Sequence, residues 1–266
     1  MQPILNIAIR AARSAGALIV RQLERVDSLN VTAKGRNDFV TEVDHRAEQI
    51  IIDTIHKAYP DHGILAEESG QQGGDEFVWI IDPLDGTTNF LHNFPHFAIS
   101  IAVEHRSQTV HGVIFDPVRQ ELFTASRGDG AQLDNRRIRV SRKSDLATAL
   151  LGTGFPFREL SHLDGYLSTL RAFMPNCAGI RRAGSAALDL AYVAAGRLDG
   201  FWEFGLKRWD IAAGALIIHE AGGFVSDPMG GESYLACGDI VAGNPKIAKK
   251  MLQTLHPLVT GGKPTS

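Results

Sequence analysis

The chain has 266 residues, of which 44% are hydrophobic, so it can bury a sizeable core and is not an intrinsically disordered chain. It carries 27 basic and 30 acidic residues, and the net charge of −3 argues against a dedicated nucleic-acid-binding protein. Its two cysteines, Cys177 and Cys237, lie far apart, which excludes a CxxC motif and favours reduced thiols over a disulfide or zinc site.

The N-terminal segment is predicted to be an amphipathic helix over residues 2–26, because two adjacent apolar stripes follow the helical period. Arg10 and Arg13 interrupt these apolar residues, so the segment is not typical of a signal peptide. No uninterrupted apolar run reaches the length of a membrane span. We therefore expect a soluble, cytoplasmic protein that makes no membrane contact.

A polar loop is predicted next, at residues 34–38, and then a second helix that begins at Thr41 and ends before Pro60. The glycine-rich residues 69–74 predict a surface loop or a hairpin tip. The apolar, β-branched run 77–81 predicts a buried strand. This order of elements indicates that helices come first and the central sheet follows.

Short β-rich segments at 98–103, 109–115 and 121–125 are separated by turn residues and predict an antiparallel meander. After residue 144 the pattern predicts strand 147–151, helix 162–173, helix 184–195, strand 199–203, helix 210–221, strand 224–226, strand 239–242 and helix 245–255. Residues 257–266 are expected to form a frayed tail. We expect one layered α+β domain over residues 1–266, with approximate halves 1–143 and 144–266.

The most informative segment is Asp82–Asn89, which places two carboxylates three residues apart at the predicted end of a buried strand. Pro83 restrains the backbone so that the Leu84 carbonyl takes a defined direction. The following Gly86 and two threonines supply backbone N–H groups that can face an anion. Carboxylate, carbonyl and hydroxyl oxygens are the ligands that Mg²⁺ prefers. Asp-Pro and Asp-Gly are also ordinary turn dipeptides, but their combination after a buried strand favours a metal and phosphate site.

Two other segments carry acids that such a site needs. Glu67 and Glu68 follow a short apolar segment, although exposed surface glutamates are the commoner explanation for such a pair. Asp210 begins a helix in the segment Trp209–Gly214, where it is well placed to share a cation with the first two aspartates. A role of Asp210 as the N-cap of that helix is the equally weighted alternative.

Three further positions have both a structural and a functional interpretation. Thr41 and Asp44 match a capping box, and their spacing favours the cap over a role of Asp44 in accepting a hydrogen bond from a catalytic hydroxyl. Small residues at Gly184–Ala187 allow a neighbouring element or a ligand to approach the start of a helix closely. Glu203 lies among aromatic residues and needs a partner if it is buried.

In this order and separation, the segments Trp79–Phe90 and Trp209–Gly214 resemble the inositol monophosphatases. These belong to the lithium-sensitive, Mg²⁺-dependent sugar phosphatases. The resemblance extends from Val40–Asp44 to Glu220–Gly223, which is nearly the whole chain. It implies a layered αβαβα fold with the active site between the layers, and it implies inhibition by lithium.

The resemblance also implies roles for the candidate residues. A first Mg²⁺ would be held by Glu67, Asp82, the Leu84 carbonyl and Thr87. A second would be held by Asp82, Asp85 and Asp210, and in some members a weaker third ion lies near Glu67. Phosphate would lie against the backbone of Gly86 and Thr87. The polyol would be contacted by Asp85, Gly184, Ala186, Glu203 and Asp210.

The implied activity is hydrolysis of inositol monophosphate to inositol and phosphate. Two Mg²⁺ would cancel the charges of the four site carboxylates and activate a water molecule, with Thr87 and Asp44 orienting that water or accepting its proton. A fructose-1,6-bisphosphatase, or another sugar or nucleotide phosphatase, is the alternative in the same class. No catalytic triad, Cys/His pair or P-loop pattern competes, and His92 and His96 are expected to be rim or structural residues.

Gly152–Phe157 and Arg181–Ala186 resemble a bacterial branch of the family that is associated with ribosomal RNA transcription and maturation through the transcription machinery. The basic segment Arg136–Lys143 is a candidate docking face for that role, although a solvated loop is the favoured interpretation. The family commonly forms dimers, so we expect a homodimer in equilibrium with the monomer. Lys34 and Asp38 match a loop near the metals, but the chain is one residue shorter there, which leaves their roles open.

Overall fold

The computed structural model describes residues 3–23, 25–26, 31–35, 38–74, 76–157 and 160–260. Its helices are α1 Pro3–Leu23, α2 Glu42–His56, α3 Thr87–Leu91, α4 Leu163–Phe173, α5 Ala186–Ala194, α6 Arg208–Glu220, α7 Tyr234–Cys237 and α8 Pro245–Thr260. Its strands are β1 Val31–Gly35, β2 Asp38–Thr41, β3 Gly63–Ala66, β4 Gly70–Gln72, β5 Phe77–Asp85, β6 Ala98–His105, β7 Gln108–Asp116, β8 Glu121–Ser126, β9 Gly130–Leu133, β10 Arg136–Arg137, β11 Leu150–Thr153, β12 Gly179–Arg181, β13 Gly200–Glu203, β14 Phe224–Ser226 and β15 Ile240–Gly243.

Two sheets organise the molecule. The larger has eight strands in the order β10-β9-β8-β7-β6-β5-β3-β4, and only β3 and β5 pair in parallel among its strands. Strands β5 to β9 pair with their neighbours in chain order, so the predicted antiparallel meander is confirmed. The smaller sheet has five strands in the order β12-β11-β13-β15-β14.

Helices cover both faces of the two sheets. Helices α1 and α2 pack together on one face of the eight-stranded sheet, in a core that contains the fully buried Trp79. Helices α5 and α6 lie on its other face and also contact the five-stranded sheet. Helices α4 and α8 cover the far side of the smaller sheet, where Trp202 is fully buried. The result is the αβαβα layering of the predicted α+β fold.

Helix α1 is 21 residues long with a mean hydropathy of 1.3, so by length and composition it could cross a membrane. Arg10 and Arg13 interrupt the apolar residues of this helix, so the expectation that no uninterrupted apolar run reaches that length still holds. Its alanine-rich face packs against α2 and the large sheet, and 44% of its most apolar stretch is buried. Packing in the core accounts for the apolar character of this helix.

Several boundaries differ from the predictions for local reasons. The strand predicted over 77–81 continues as β5 to Asp85, with a break in its register against β6 between Asp82 and Asp85. Part of the predicted loop at 34–38 belongs to the β1–β2 hairpin, and residues 36–37 lie outside the described residues. The expected tail is helical as far as Thr260, since Pro257 lies in the last turn and removes only one backbone donor there.

Other predictions of the second half are close to the structure. The helix predicted at 184–195 begins at Ala186 because Ser185 is its N-cap. The strand predicted at 147–151 starts later, because a 3₁₀ turn occupies Leu146–Thr148. The short elements α3, β9, β10, β12 and α7 were not predicted, since none is long enough to show a period.

Candidate active site

A cavity of about 530 Å³ opens between the two halves of the chain and contains most of the predicted site residues. Its lining includes ten of them: Glu67, Asp82, Leu84, Asp85, Gly86, Thr87, Gly184, Ala186, Glu203 and Asp210. Asp44 is not part of the lining, but it contacts Thr87 from behind. The side chains of Lys34 and Asp38 lie outside the described residues.

Three carboxylates form the centre of the cavity. Each of Asp82, Asp85 and Asp210 offers an oxygen atom that lies within 4.8 Å of those of the other two. The register break in β5 allows Asp82 and Asp85 to face the same cavity, and α6 brings Asp210 to them. Burial, together with the charges of Glu67 and the two other aspartates, raises the pKa of Asp82 well above its usual range. A cation at this point would relieve that repulsion.

Asp210 occupies the third position of α6 rather than its N-cap. One of its carboxylate oxygens accepts a hydrogen bond of 2.7 Å from the backbone N–H of Lys207, which is the N-cap residue. The side chain is therefore fixed beside the first turn of the helix, where the helix dipole attracts negative charge. The alternative that Asp210 is the N-cap is therefore wrong, and its side chain is oriented toward the other two aspartates.

Asp85 is held by the N-terminus of α5. Its Oδ2 atom accepts a hydrogen bond of 2.6 Å from the Ser185 hydroxyl and one of 2.7 Å from the backbone N–H of Ala187. The Ser185 hydroxyl also accepts from the backbone N–H of Leu188, as an N-cap does. The first helical turn of α5 therefore fixes the position of this carboxylate.

Thr87 and Asp44 form a second polar centre, behind the carboxylates. The Thr87 hydroxyl lies 3.0 Å from Oδ1 of Asp44 and 3.1 Å from the Leu84 carbonyl oxygen, and it can donate to one of them at a time. Oδ2 of Asp44 accepts from the Thr41 backbone N–H at 2.8 Å and from its hydroxyl at 2.6 Å. The predicted capping box is thus confirmed, and burial raises the pKa of Asp44 despite these bonds.

Gly86 is required where the two halves of the chain meet. It has a φ of 98°, and a Cβ atom there would lie 3.1 Å from the His96 carbonyl oxygen and 3.2 Å from that of Gly184. Asn89 reinforces the junction, because its side-chain amide donates to the carbonyl oxygens of His96 and Ala183. The backbone after Gly86 then begins the short helix α3 at the floor of the cavity.

The two glutamates after β3 are half-buried, so the alternative of exposed surface residues is wrong. The backbone N–H of Glu67 donates to the Ile81 carbonyl oxygen at 3.1 Å, which brings Glu67 beside Asp82. The backbone N–H of Glu68 donates to Glu48 of α2 at 2.8 Å. The first contact brings Glu67 to the cavity, whereas Glu68 does not belong to the cavity lining.

Glu203 lies at the end of β13 and packs directly on Gly154, where any Cβ atom would collide with its carboxylate. Burial raises its pKa well above the usual range, and the charges of Asp189, Asp210 and Asp85 act in the same direction. Arg182 opposes that shift. Glu203 is half-buried, and the Arg182 guanidinium is the positive charge that favours its ionised form.

Sequence reasoning missed one wall of the cavity. The Arg182 guanidinium lies over the rings of Phe155 and Phe157, 5.4 and 4.9 Å from their centroids, and all three residues line the cavity. In the sequence, the segments that carry these residues indicate only the bacterial branch of the family. The signal for this wall in the sequence was Gly154, which directly precedes Phe155. Glu203 packs on this glycine, so no larger residue fits there. His92 lies at the rim as expected.

The five layers and the acidic cavity between them define a phosphatase of the layered α+β class. The chain belongs to the inositol monophosphatase family, whose sequence profile matches residues 1–260. A Pseudomonas aeruginosa protein named Nus factor SuhB is 57% identical over 263 residues, which cover 97% of each chain. The predicted bacterial branch of the family is confirmed by this similarity.

Two solved structures extend the comparison. The crystal structure of the extragenic suppressor protein SuhB from Bartonella henselae matches with a TM-score of 0.93 and 47% identity, covering 96% of this chain and 98% of that one. SaIMPase-II, solved with inositol monophosphate bound, matches with a TM-score of 0.82 and 26% identity, covering 97% of this chain and 96% of that one.

Proposed function

We propose that this protein is a Mg²⁺-dependent phosphomonoesterase that hydrolyses inositol monophosphate to inositol and phosphate. The observation that carries the proposal is the cluster of Asp82, Asp85 and Asp210, whose carboxylate oxygens converge within 4.8 Å beside the Gly86–Thr87 backbone. Membership of the inositol monophosphatase family and the inositol monophosphate bound to SaIMPase-II support this choice of substrate.

The donor set fits Mg²⁺, since it consists of hard oxygen atoms that repel one another without a cation. Glu67, Asp82, the Leu84 carbonyl and Thr87 would hold one ion, and Asp82, Asp85 and Asp210 a second. A third ion would lie near Glu67. When bound, Mg²⁺ lowers the pKa of a coordinated water molecule and neutralises charge on the leaving oxygen. Binding of a cation would lower the raised pKa of Asp82.

Thr87 and Asp44 provide the proton acceptor on the side of attack. The Thr87 hydroxyl donates a hydrogen bond to Asp44 Oδ1. Its lone pairs can therefore accept a hydrogen bond from an attacking water molecule. Two bonds from Thr41 hold Asp44 in position for this role. The raised pKa of Asp44 makes its carboxylate a better base than an exposed aspartate.

The opposite wall of the cavity would bind the polyol. Glu203, Asp210 and Asp85 provide acceptors for hydroxyl groups, and the small Gly184 and Ala186 leave room for a ring. Arg182 and its two aromatic neighbours close this wall. A fructose-1,6-bisphosphatase or another sugar or nucleotide phosphatase remains the alternative.

A phosphate-release assay tests the proposal with inositol monophosphates, bisphosphorylated sugars and 3′-phosphonucleotides, each with and without Mg²⁺. We expect inositol monophosphate to be preferred, EDTA to abolish release and lithium to inhibit it. Asp85→Asn and Asp210→Asn should abolish release while circular dichroism stays unchanged. Normal turnover by either variant would contradict the metal assignment, and a preferred bisphosphorylated sugar would favour the alternative.

A second function, contact with the transcription machinery, is supported by the Nus factor named at 57% identity. Such a role would place the protein in the cytoplasm. Pull-down of transcription elongation factors by the wild type and by Asp85→Asn tests it, because a retained partner in both would separate this role from catalysis. No retained partner would contradict it.

We also propose a homodimer in equilibrium with the monomer. Helix α4 exposes Leu163 and Leu167, and Met174 follows directly after it with 62% of its surface exposed. Apolar residues grouped in this way are typical of a subunit interface. Light scattering at several protein concentrations, with and without Mg²⁺, measures the equilibrium, and a monomer at every concentration would contradict it.

A further inference from the structure

The carboxylate of Asp189 has no partner, although the residue is buried in the wall of the cavity. Asp189 is only 2% exposed, yet it belongs to the cavity lining. Among the residues that the structure describes, none donates a hydrogen bond to its carboxylate or forms an ion pair with it. A buried carboxylate normally has hydrogen bonds or a counter-ion, so a ligand in the cavity is the missing partner.

Helix stability does not explain this acid. Asp189 lies in the first turn of α5, where the helix dipole favours a negative charge. The Ser185 hydroxyl already caps that turn, and no backbone N–H of the described residues donates to the Asp189 carboxylate. Asp189 follows Ser185 by four positions and Ala186 by three, so the three residues share the face of α5 that lines the cavity. The helix therefore presents this carboxylate to the cavity.

Glu203 is a second acid without a hydrogen-bond donor in the same wall. No described residue donates to its carboxylate, and among the charges that act on it, that of Asp189 raises its pKa most, after the effect of burial. The two acids flank the end of β11. A Cβ atom on Gly152 would lie 3.6 Å from Cγ of Asp189, and one on Gly154 would collide with the Glu203 carboxylate. The wall therefore holds two neighbouring acids that repel each other.

Arg182 supplies too little positive charge for both acids. Among the described residues that line the cavity, it is the only arginine or lysine. Its charge opposes the raised pKa of Asp189 and of Glu203, but it forms an ion pair with neither. Arg182 is exposed, and its guanidinium lies over the rings of Phe155 and Phe157. When both acids are ionised, this wall therefore carries one negative charge in excess.

We propose that Asp189 and Glu203 together bind an ammonium group, so that monophosphate esters of amino sugars are a further class of substrate. The inference rests on the proposed phosphatase function, in which the Gly86–Thr87 backbone binds the phosphate at the other end of the molecule. An ammonium group offers three donors and the positive charge that the wall lacks, whereas a hydroxyl offers one donor and no charge. A further metal ion fits less well, because among the described residues only the three central aspartates converge on one point.

The hydrolysis itself would be the same as for inositol monophosphate. Water adds to phosphorus, the bond between phosphorus and the ester oxygen breaks, and that oxygen takes up one proton and leaves as a hydroxyl of the amino sugar. The ammonium group keeps its protons and takes no part in these bond changes. Because it contributes only to binding, its effect should appear in KM more than in kcat.

Phosphate release from glucosamine 6-phosphate and glucose 6-phosphate, with Mg²⁺, tests the inference. The two esters differ only at carbon 2, which carries an amine in the first and a hydroxyl in the second. An amine flanked by polar groups has a pKa of about 8, so assays at about pH 6.5 keep it charged. We expect kcat/KM to be about tenfold higher for glucosamine 6-phosphate, mainly through a lower KM. N-acetylglucosamine 6-phosphate has no charge at this position and should lose the advantage.

Asp189→Asn removes the negative charge with little change in shape. It should reduce the preference for glucosamine 6-phosphate over glucose 6-phosphate from about tenfold to about twofold or less. Glu203→Gln should reduce it in the same direction. The matched control is Asp164→Asn in the first turn of α4, an exposed acid outside the cavity lining, which should keep the wild-type preference. The comparison of the three esters in the wild type does not depend on the folding of any variant.

The possible outcomes separate this inference from the proposed function. If inositol monophosphate is hydrolysed normally but glucosamine 6-phosphate is not preferred over glucose 6-phosphate, the ammonium site is overturned and the proposed function stands. An unchanged preference in Asp189→Asn also overturns the site. If no ester is hydrolysed, the proposed function fails, and isothermal titration calorimetry of the two sugar phosphates with Mg²⁺ tests the site alone. A Kd at least about fivefold lower for glucosamine 6-phosphate would then support it, and equal values would overturn it.

Discussion

Asp85 and Ser185 are 2.6 Å apart between carboxylate and hydroxyl oxygens, although 100 positions separate them in the chain. This hydrogen bond joins the end of β5 in the large sheet to the N-terminus of α5 in the middle layer. The same hydroxyl caps α5, so one atom serves both helix stability and the orientation of a proposed metal ligand. Activity and stability are therefore coupled at this residue.

Ser185→Ala should affect both properties. The loss of the N-cap should lower the free energy of unfolding by about 1 kcal/mol. Asp85 would keep the bond from the Ala187 backbone but lose that from the hydroxyl, so we expect Mg²⁺ affinity to fall by about 10- to 100-fold. Titration of phosphate release with Mg²⁺ and urea unfolding measure the two effects. Ser185→Thr keeps a hydroxyl and should retain most of both, and an unchanged Mg²⁺ titration in Ser185→Ala would contradict the coupling.

Thr87→Val tests the proton-acceptor pair. Valine has nearly the same shape but no hydroxyl, so Asp44 loses the bond that links it to the cavity and keeps its two bonds to Thr41. We expect kcat to fall by about 100- to 10,000-fold, the range for loss of a positioned proton acceptor. The urea unfolding midpoint should change little, because the capping box stays intact.

The control for this change is Thr87→Ser, which keeps the hydroxyl and should retain at least a tenth of the wild-type kcat. Comparison of kcat at saturating Mg²⁺ separates proton transfer from metal affinity. Recovery of normal kcat in Thr87→Val at high Mg²⁺ would show that the hydroxyl serves only as a metal ligand.

Local periodicity explains why much of the fold was predictable. Helices α1 and α2 follow the helical apolar period, and the strands of the meander are β-rich segments separated by turn residues. The capping box at Thr41 depends on neighbours in sequence. The contacts between Asp85 and Ser185 and between Gly154 and Glu203 are different, because they join distant elements and leave no local pattern. The resemblance to the family assigned the metal-binding and polyol-binding residues, whose roles spacing alone could not show.

Arg182 shows why one wall of the cavity was missed. Nothing in its own neighbourhood distinguishes it from Arg181, and only the fold brings Phe155 and Phe157 beneath its guanidinium. Likewise, the extension of β5 through Asp85 depends on pairing with β6, which a strand-end motif does not reveal. Such features require the tertiary structure because they arise from pairing between elements.

Arg182→Ala should change substrate preference more than catalytic rate. Arg182 provides positive charge to a wall that also contains Glu203 and Asp189, so its loss should disfavour substrates with a second negative group. We expect kcat/KM for a bisphosphorylated sugar to fall about threefold to fivefold relative to inositol monophosphate, as for one partly exposed ion pair. Arg181→Ala removes the adjacent exposed arginine, which does not line the cavity, and should leave this ratio unchanged. Equal ratios in the two variants would contradict a role of Arg182 in selectivity.

His96 should make the stability of the protein depend on pH. The residue is only 6% exposed, its ring packs edge-on against Tyr192, and its Nε2 atom has no hydrogen-bond partner among the described residues. Burial, with a smaller effect from the Arg119 charge, lowers the pKa of His96 to about 4. The imidazole is therefore neutral in the folded state over most of the accessible pH range.

The unfolded chain binds a proton at this histidine below its ordinary pKa of about 6.5, whereas the folded protein does not until the pH approaches 4. Stability from this group is thus complete above pH 6.5 and is lost as the pH falls toward 4, by up to about 3 kcal/mol. His96→Phe fills similar space without a titrating group, so urea unfolding between pH 7 and 4.5 should show a shallower loss for the variant. His45→Phe, at an exposed position of α2, is the control and should follow the wild type. Parallel curves for His96→Phe and the wild type would mean that other groups cause the acid sensitivity.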